Sequence, residues 1–386
     1  MPRIKVLIDC AELNPLNAGG VRSYSTNICK ALAQNQDVEV TLLINEASTE
    51  LFMEVSSLLP SGSVITISDR GKILKLVLAI FQNLRMYKSY LLIKSAVVKP
   101  YISGKTFDIA YAPTTYLNSH FGNIPIVVTL HDIQEKDMPD NFSWKERKYR
   151  DFRTRITLNQ SNSVHVSSKF IQESIFRNYP DLYNSEKFCV IPEGVELKRF
   201  RGNSKSKKRQ IIFPARPWLH KNHRVLFEAI EKIKNILPPM IVLTGANRGD
   251  FDAKISIDAN LIEFKGLVSE EELTELYLES FGVLTCSQYE SSSLPILEGI
   301  AAGCLAIASS IPAHSEMAQA LDLSLFDPGH PSQLADAIVK ATKHFDAGQI
   351  NNSRNKNEIE KFDWERIGAA LIIQFKKNLE EKTNDN

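Results

Sequence analysis

The sequence predicts an α/β protein made of two doubly wound domains that face each other across a central cleft. Three observations carry this. The chain has 386 residues, and a single hydrophobic core usually stops growing at roughly 250 to 300. Short β-branched runs alternate with longer segments of helical period, the pattern of a mainly parallel sheet with helices on both faces. That rhythm stops at the polar, basic stretch RGNSKSKKRQ, residues 201–210, and then starts again. Charge and small residues replace any apolar period there, so the stretch reads as an interdomain linker.

The strand candidates follow in order. The first half supplies IKVLID, VEVTLLI, SVITIS, DIAYAP, IPIVVTLHD, SVHVSS and FCVIPEGV. After the linker come IIFPA, MIVLTG, LIEFKGLV, GVLTCS, LAIASS and LSLFDP, interleaved with amphipathic helices such as HRVLFEAIEKIKNIL. The expected domains are 1–200 and 201–364. In such sheets ligands bind outside the carboxyl ends of the strands, so the loops that follow strands are where chemistry is sought.

Composition narrows the classes. Hydrophobic content of 43% and charged content of 24% are those of an ordinary globular protein. Lysine and arginine total 46 against 45 acidic residues, so no global field favours nucleic acid and none is expected as a partner. Cys10, Cys29, Cys189, Cys286 and Cys304 are odd in number and far apart, which reads as reduced thiols and not as a disulfide framework or a zinc site. The start, MPRIKVLIDC, ends its short apolar run in an aspartate and reads as a first strand, not a secretory signal. No apolar run approaches the roughly 20 residues that cross a bilayer. The expectation is a cytoplasmic protein that does not span a membrane.

Each strand-following loop offers a candidate with a plainer alternative. In AELNPLNAGGV, Gly19 and Gly20 open a helical segment where a phosphate or sugar can approach backbone amides; a simple turn is the plainer reading of the pair by itself. No G-x-G-x-x-G or G-K-[ST] pattern is present, which removes the main support for a dinucleotide-dependent oxidoreductase or a phosphate-loop ATPase. His131 and Asp132 end the run IPIVVTLHD, placed to orient a hydroxyl or carry charge, or else to cap the strand. In IIFPARPWLHKNH, Arg216 and Lys221 form a fork and a point charge suited to a diphosphate, or a solvated basic loop. His220 and His223 lack a nearby cysteine or carboxylate and are not read as metal ligands. Asp250 and Asp252 have D-x-D spacing, but solvated turn carboxylates account for them, and no metal is expected.

The stretch YESSSLPILEG, residues 289–299, is the most informative. Pro295 suits a first helical turn, Gly303 a helix stop, and Glu298 falls within the first turns of the helix between them. Free amides and hydroxyls at Ser292, Ser293 and Leu294 can cradle an anion or sugar oxygens, and each carboxylate can accept two hydroxyls. A serine-rich cap with Glu290 in solvent and Glu298 on the helix dipole is the alternative.

Glu290 and Glu298, with seven residues between them and GIAAGCLAIAS following, resemble the signature of glycosyltransferase family 4. In that family the usual wording is Glu-Gly-Phe-Gly-Leu-Pro and then Glu. GGV, VVTLHD, HVSSKF, VIPEGVELKRF, the Arg216/Lys221 pair, FKGLVSEEEL, LFDPGHPSQLADAI and FDWERI agree in order and spacing, so the resemblance covers nearly the whole chain. It implies a GT-B fold of two Rossmann-like domains, with a last helix, here 365–386, crossing back onto the first. It implies a retaining, metal-independent hexosyltransferase that uses a nucleotide diphosphate sugar. Carried onto this sequence, Arg216 and Lys221 hold the diphosphate, Glu298 the ribose hydroxyls and Glu290 the transferred sugar. His131 sits at the reacting end, Gly20 approaches the donor from the first domain, and Val268 lies beside the base. In the family the cleft closes on the donor.

Such chemistry suits the residues. Positive charge builds on the sugar while negative charge grows on the leaving diphosphate, and a cationic clamp with helix amides stabilises that leaving group. Ser291, Ser292 and Ser293 stand where the family has Gly-Phe-Gly, and Glu193 where it often has asparagine; the first departure bears on which donor sugar is taken. Between Asp69 and Asp108 there is no acidic residue, yet Arg70, Lys72, Lys75, Arg85, Lys88, Lys94, Lys99 and Lys105 stand among apolar ones. Related enzymes dock on membranes through such parts of the first domain. At about 100° per residue, one continuous helix would scatter these charges, whereas two shorter helices can gather them. The expected partners are a nucleotide-sugar donor and a glycan or lipid-linked acceptor in surface polysaccharide assembly, with peripheral membrane contact through 70–105. A sugar-nucleotide epimerase of the same plan, or a non-catalytic sugar- or nucleotide-binding protein, are the alternatives.

Overall fold

The structure, a computed structural model, describes residues 2–13, 19–68, 71–202, 205–236, 238–253, 258, 260–350 and 353–384. The chain divides into two compact units, Met1–Pro192 with Trp364–Asn386, and Glu193–Asp363.

The first unit is built on seven parallel strands: β1 (Ile4–Cys10), β2 (Val38–Asn45), β3 (Val64–Ile67), β4 (Ile109–Ala112), β5 (Ile126–Thr129), β6 (Ser163–Val166) and β7 (Phe188–Val190), in the order β3-β2-β1-β4-β5-β6-β7. Strand β1 pairs with β2 from Ile4↔Val38 to Cys10↔Ile44. Its Val6, Leu7 and Ile8 are all buried, because a central parallel strand is covered on both faces and therefore reads as a continuous apolar run. The order reverses between β1 and β4, so the carboxyl ends of these two strands mark the topological switch point.

The second unit repeats the plan with β8 (Lys208–Pro214), β9 (Met240–Thr244), β10 (Ile262–Gly266), β11 (Ser280–Thr285), β12 (Leu305–Ser309) and β13 (Leu323–Phe326), in the order β10-β9-β8-β11-β12-β13. Alternate residues feed two cores. Ile211, Phe213, Ile241 and Leu243 join Leu226, Ile230 and Ile338 on one face; Ile212, Val242 and Val283 join Leu276, Ile296 and Ile300 on the other. This is the side-chain alternation of a sheet buried on both sides. Its switch point lies between β8 and β11.

The stretch 201–210 is not an interdomain linker. Among its described residues, Lys208 already belongs to β8, and Lys207 Nζ donates to the carbonyls of Tyr277 and Ala302 at 3.2 and 2.7 Å. Lys208 and Arg209 pair with Glu279 and Asp346. Its basic character comes from the amino end of a central strand, where lysine stems lie along the surface with their ammonium groups partnered. The units part after Pro192, so the turn carrying Leu197–Arg199 belongs to the second unit. The final helix, Trp364–Asn384, packs in the first unit against the helix Gly19–Gln34. Gly368 makes that approach close: a Cβ there would stand 3.1 Å from Ala31 Cβ.

Residues 72–102 form two helices, Lys72–Asn83 and Tyr87–Ile102. Lys94 is buried and pairs with Glu12, so it does not belong to the exposed basic surface expected here. Arg70 lies outside the described residues. No helix among the described residues is long and apolar enough to cross a membrane.

The helix Leu294–Ala301 is pressed onto β11 through Gly299, where a Cβ would stand 2.3 Å from Val283 Cγ1. An alanine there gains about 1 kcal/mol of helix propensity but must push the helix off the strand, and overpacking of this kind costs about 1–3 kcal/mol. We expect Gly299→Ala to lower the denaturation midpoint and to weaken whatever binds at the amino end of this helix. Unchanged values of both would contradict the close packing.

Candidate functional site

In the second unit the residues picked out by the sequence converge at the carboxyl ends of β8 and β11. The chain leaving β8 passes Arg216 and turns through Leu219–Lys221 to Asn222, which takes a left-handed conformation at φ 53° before the helix His223–Ile233. The loop after β11 is tied to it by Gln288 N, which donates to His220 O at 2.7 Å. Across this tie Lys221 Nζ lies 2.5 Å from Glu290 Oε1, with both side chains 15% exposed. Ser287 Oγ donates to the same oxygen at 2.6 Å. Burial pushes the Glu290 carboxyl up, but Lys221 and the Ser287 hydroxyl outweigh it and hold it below the ordinary carboxylate range. Glu290 is therefore an ionised, acceptor-only group at neutral pH, not a solvated one.

Lys221 has three N–H donors, so one bond to Glu290 leaves others for a phosphate. Arg216 is exposed and, among the described residues, its guanidinium carries no ion pair. The two cations are thus held differently, one braced and one open.

Glu298 sits one turn into the helix Leu294–Ala301. Arg199 Nη1 donates to its Oε1 at 3.1 Å. Arg199 is itself fixed by Thr274 Oγ1, which accepts from Nη2 at 2.7 Å and from Nε at 3.2 Å. Burial pushes the Glu298 carboxyl above its ordinary range, with Arg199 and Tyr277 pulling against that rise. Arg199 was invisible in the sequence: it lies 99 residues from Glu298, inside VELKRF, where nothing in the local pattern marks it.

Ser293 stands at the N-cap of the same helix without capping it. Its hydroxyl is buried and has no hydrogen-bond partner, an arrangement that costs about 1–3 kcal/mol unless something fills it. Ser292 and Leu294 flank it half-buried, and Pro295 lies in the first turn. Gly303, at φ 82°, ends the helix. Val268 follows Gly266, whose φ of 64° turns the chain after β10, and is half-buried beside the exposed Leu267.

The histidines and aspartates read as non-ligands have structural partners. His223 Nε2 donates to Ala215 O at 3.3 Å, and burial lowers its pKa to about 4. The His220 ring stacks on Trp218 at 5.7 Å. Asp250 closes a one-turn helix by accepting from Asn247 N at 2.7 Å. Among the described residues no group of three or more His, Cys, Asp or Glu is placed to hold a metal ion.

In the first unit, His131 follows β5 and its Nε2 donates to Pro113 O, just past β4, at 2.8 Å. Tyr24 meets the His131 ring edge-on at 4.6 Å. Gly20 lies one turn before Tyr24, exposed, with open space where a Cβ would be. The structure therefore brings Gly20 and His131 to the same end of the sheet. Asp132 Oδ1 accepts from Gln134 N. Glu135, passed over in the sequence, is buried beside Arg150, and burial raises its pKa to about 7.

Comparison with known proteins adds to this geometry. Residues 18–199 match the family model described as Glycosyltransferase Family 4, and residues 195–356 match Glycosyl transferases group 1. The O-antigen chain mannosyltransferase RfbU of Salmonella typhimurium strain LT2 is 26% identical over 196 residues, spanning 49% of this chain and about half, 53%, of that protein. The O-antigen chain mannosyltransferase B of Escherichia coli is 21% identical over 373 residues, covering 92% of this chain and 96% of that protein. Among solved structures, a glycosyltransferase from Rickettsia africae ESF-5 has a TM-score of 0.69 at 18% identity, covering 98% of this chain and 99% of that one. Anabaena Alr3699/HepE in complex with UDP and glucose gives 0.69 at 16% identity, covering 97% and 100%.

Proposed function

The chain belongs to glycosyltransferase family 4 and has its GT-B fold, and on that premise we propose that it transfers a hexose from a nucleotide diphosphate sugar to a glycan or lipid-linked acceptor, with retention at the anomeric carbon and without a metal. The observation that carries this is the Lys221–Glu290 pair at the switch point of the second sheet, with the exposed Arg216 preceding Lys221 in the same loop. Arg216 and the remaining Lys221 donors take the diphosphate, the ionised Glu290 takes hydroxyls of the sugar, Glu298 takes the ribose, and Val268 lies by the base. Ser292, Ser293 and Leu294 at the helix start complete the donor pocket. From the first unit, His131 and Gly20 are assigned to the sugar and acceptor. The bond from C1 to the phosphate oxygen breaks with its electron pair on the diphosphate. The acceptor oxygen bonds to C1, and its proton leaves on the diphosphate. Retention rests on the family resemblance. O-antigen relatives support surface polysaccharide assembly as the setting.

A panel of UDP-, GDP- and ADP-hexoses, offered with glycan and lipid-linked acceptors, tests the reading. Acceptor-dependent release of nucleoside diphosphate with a product of unchanged anomeric configuration is expected. Conversion of the free donor alone would make the protein an epimerase, and binding without turnover a non-catalytic module.

We also propose that the first unit rests on an anionic lipid surface. Leu76, Ile80 and Leu84, spaced by four residues, are exposed, as are Met86 and Leu92; Lys75, Arg85, Lys88 and Lys99 are exposed around them. A basic residue near such a surface contributes roughly 1 kcal/mol, so the double change of Arg85 and Lys88 to alanine should weaken sedimentation with phosphatidylglycerol vesicles about thirtyfold. Failure of the wild type to bind those vesicles at low salt would overturn this placement.

A further inference from the structure

Among the buried polar groups of the second unit is a histidine with an unpartnered ring nitrogen. His314, on the helix Pro312–Met317 after β12, is 0% exposed. Its Nδ1 lies 2.8 Å from Ser309 O. A carbonyl only accepts, so Nδ1 carries the proton. Burial holds the imidazole below its ordinary pKa, which leaves the ring neutral and makes Nε2 a bare acceptor. That Nε2 is buried and has no hydrogen-bond partner.

Its surroundings locate it. The charged groups acting on the ring are Glu290 and Lys221. Ser309 Oγ, in contact with His314 Nδ1 at 3.3 Å, donates to the carbonyl of Ser287, whose own hydroxyl holds Glu290. The ring therefore lies next to the Lys221–Glu290 pair, and its Nε2, on the far side from Ser309, is the atom left without a partner.

We propose that His314 Nε2 accepts a hydrogen bond from a ring hydroxyl of the donor sugar and so helps set which sugar is taken. This rests on the reading of the pocket as the donor site. Phosphate oxygens at neutral pH only accept, and two acceptors repel; the group that fits a bare imidazole nitrogen is an O–H. A hydroxyl at this position is held between His314 and Glu290. An epimer that turns the hydroxyl away leaves Nε2 unpaired, and sites built around buried polar groups reject such analogues strongly.

Calorimetric titration tests this with free UDP, GDP and ADP and with hexoses of each. His314→Asn keeps a donor for Ser309 O but carries nothing at the Nε2 position; His314→Gln carries an acceptor there. For the nucleotide sugar that the wild type binds, His314→Asn should weaken binding about tenfold, the scale for one such bond, and leave the free nucleotide of the same base unchanged. His314→Gln should retain most of the affinity for the sugar nucleotide. Equal weakening of nucleotide and nucleotide sugar by His314→Asn, or no weakening of either, would overturn the assignment. A wild type that binds the free nucleotide as tightly as its sugar form would overturn it too. A wild type that binds no nucleotide at all would instead overturn the donor-site reading, and this inference with it.

Discussion

Arg216→Ala and Lys221→Ala should each lower kcat/KM for sugar transfer at least about a hundredfold, the scale for removing one donor that stabilises transition-state charge. They should differ in stability. Lys221 is braced against Glu290, and removing one partner of a buried pair leaves an uncompensated charge at a cost of order 3–5 kcal/mol. Some of that is relieved here because both side chains retain 15% exposure. Arg216 is exposed and makes no ion pair among the described residues, so its loss should not move the denaturation curve. Adding Glu290→Gln to Lys221→Ala should restore stability without restoring transfer. Initial rates and urea denaturation on the same four proteins decide the matter. Near-normal kinetics in either single variant would sink the diphosphate assignment, and a destabilised Arg216→Ala would contradict the asymmetry.

Glu298→Ala should weaken nucleotide binding about ten- to a hundredfold, since hydrogen bonds to a charged group contribute about 1.5–3 kcal/mol. The Arg199→Ala variant should give the more specific result. Burial raises the Glu298 carboxyl, and Arg199 is the first of the groups that oppose the rise. Without it the carboxyl rises further and takes up its proton at a higher pH. A protonated carboxyl cannot accept the same set of hydroxyls. Nucleotide affinity in Arg199→Ala should therefore be present at alkaline pH and fall away as pH drops, at a higher pH than in the wild type. Stability runs the opposite way. A carboxyl whose folded pKa is raised contributes fully below its ordinary range near 4.5, and that contribution is lost as pH rises through the raised value. Calorimetric titration of the bound nucleotide across pH 5 to 9 checks the first claim. Parallel profiles for wild type and variant would show that Arg199 does not hold the charge.

Both experiments concern pairs that the sequence showed only by halves. Glu290 and Glu298 stood out through their spacing, and Arg216 and Lys221 through their place after a strand. Their partners did not. Neither the bond from Lys221 to Glu290 nor the one from Arg199 to Glu298 follows any local period, since each joins residues 69 or 99 positions apart. Lys94 shows the same limit in reverse: counted among surface charges, it is buried against Glu12. His314 carried no signal, because a lone histidine on a short helix means little until both ring nitrogens have been traced.

What the sequence determined alone was the alternation of strands and helices, the repetition of that plan, and the strand-following loops in which the candidate residues stand. These follow from short-range rules, because the apolar period and the glycine and proline positions act within a few residues. The tertiary structure decided where the units part, which cations are braced and which open, and which buried polar atoms lack a partner. Those depend on strand order. Only when β11 lies beside β8, with β12 next to it, do the segments carrying Lys221, Glu290 and His314 come near one another, where burial and neighbouring charge together decide which groups ionise.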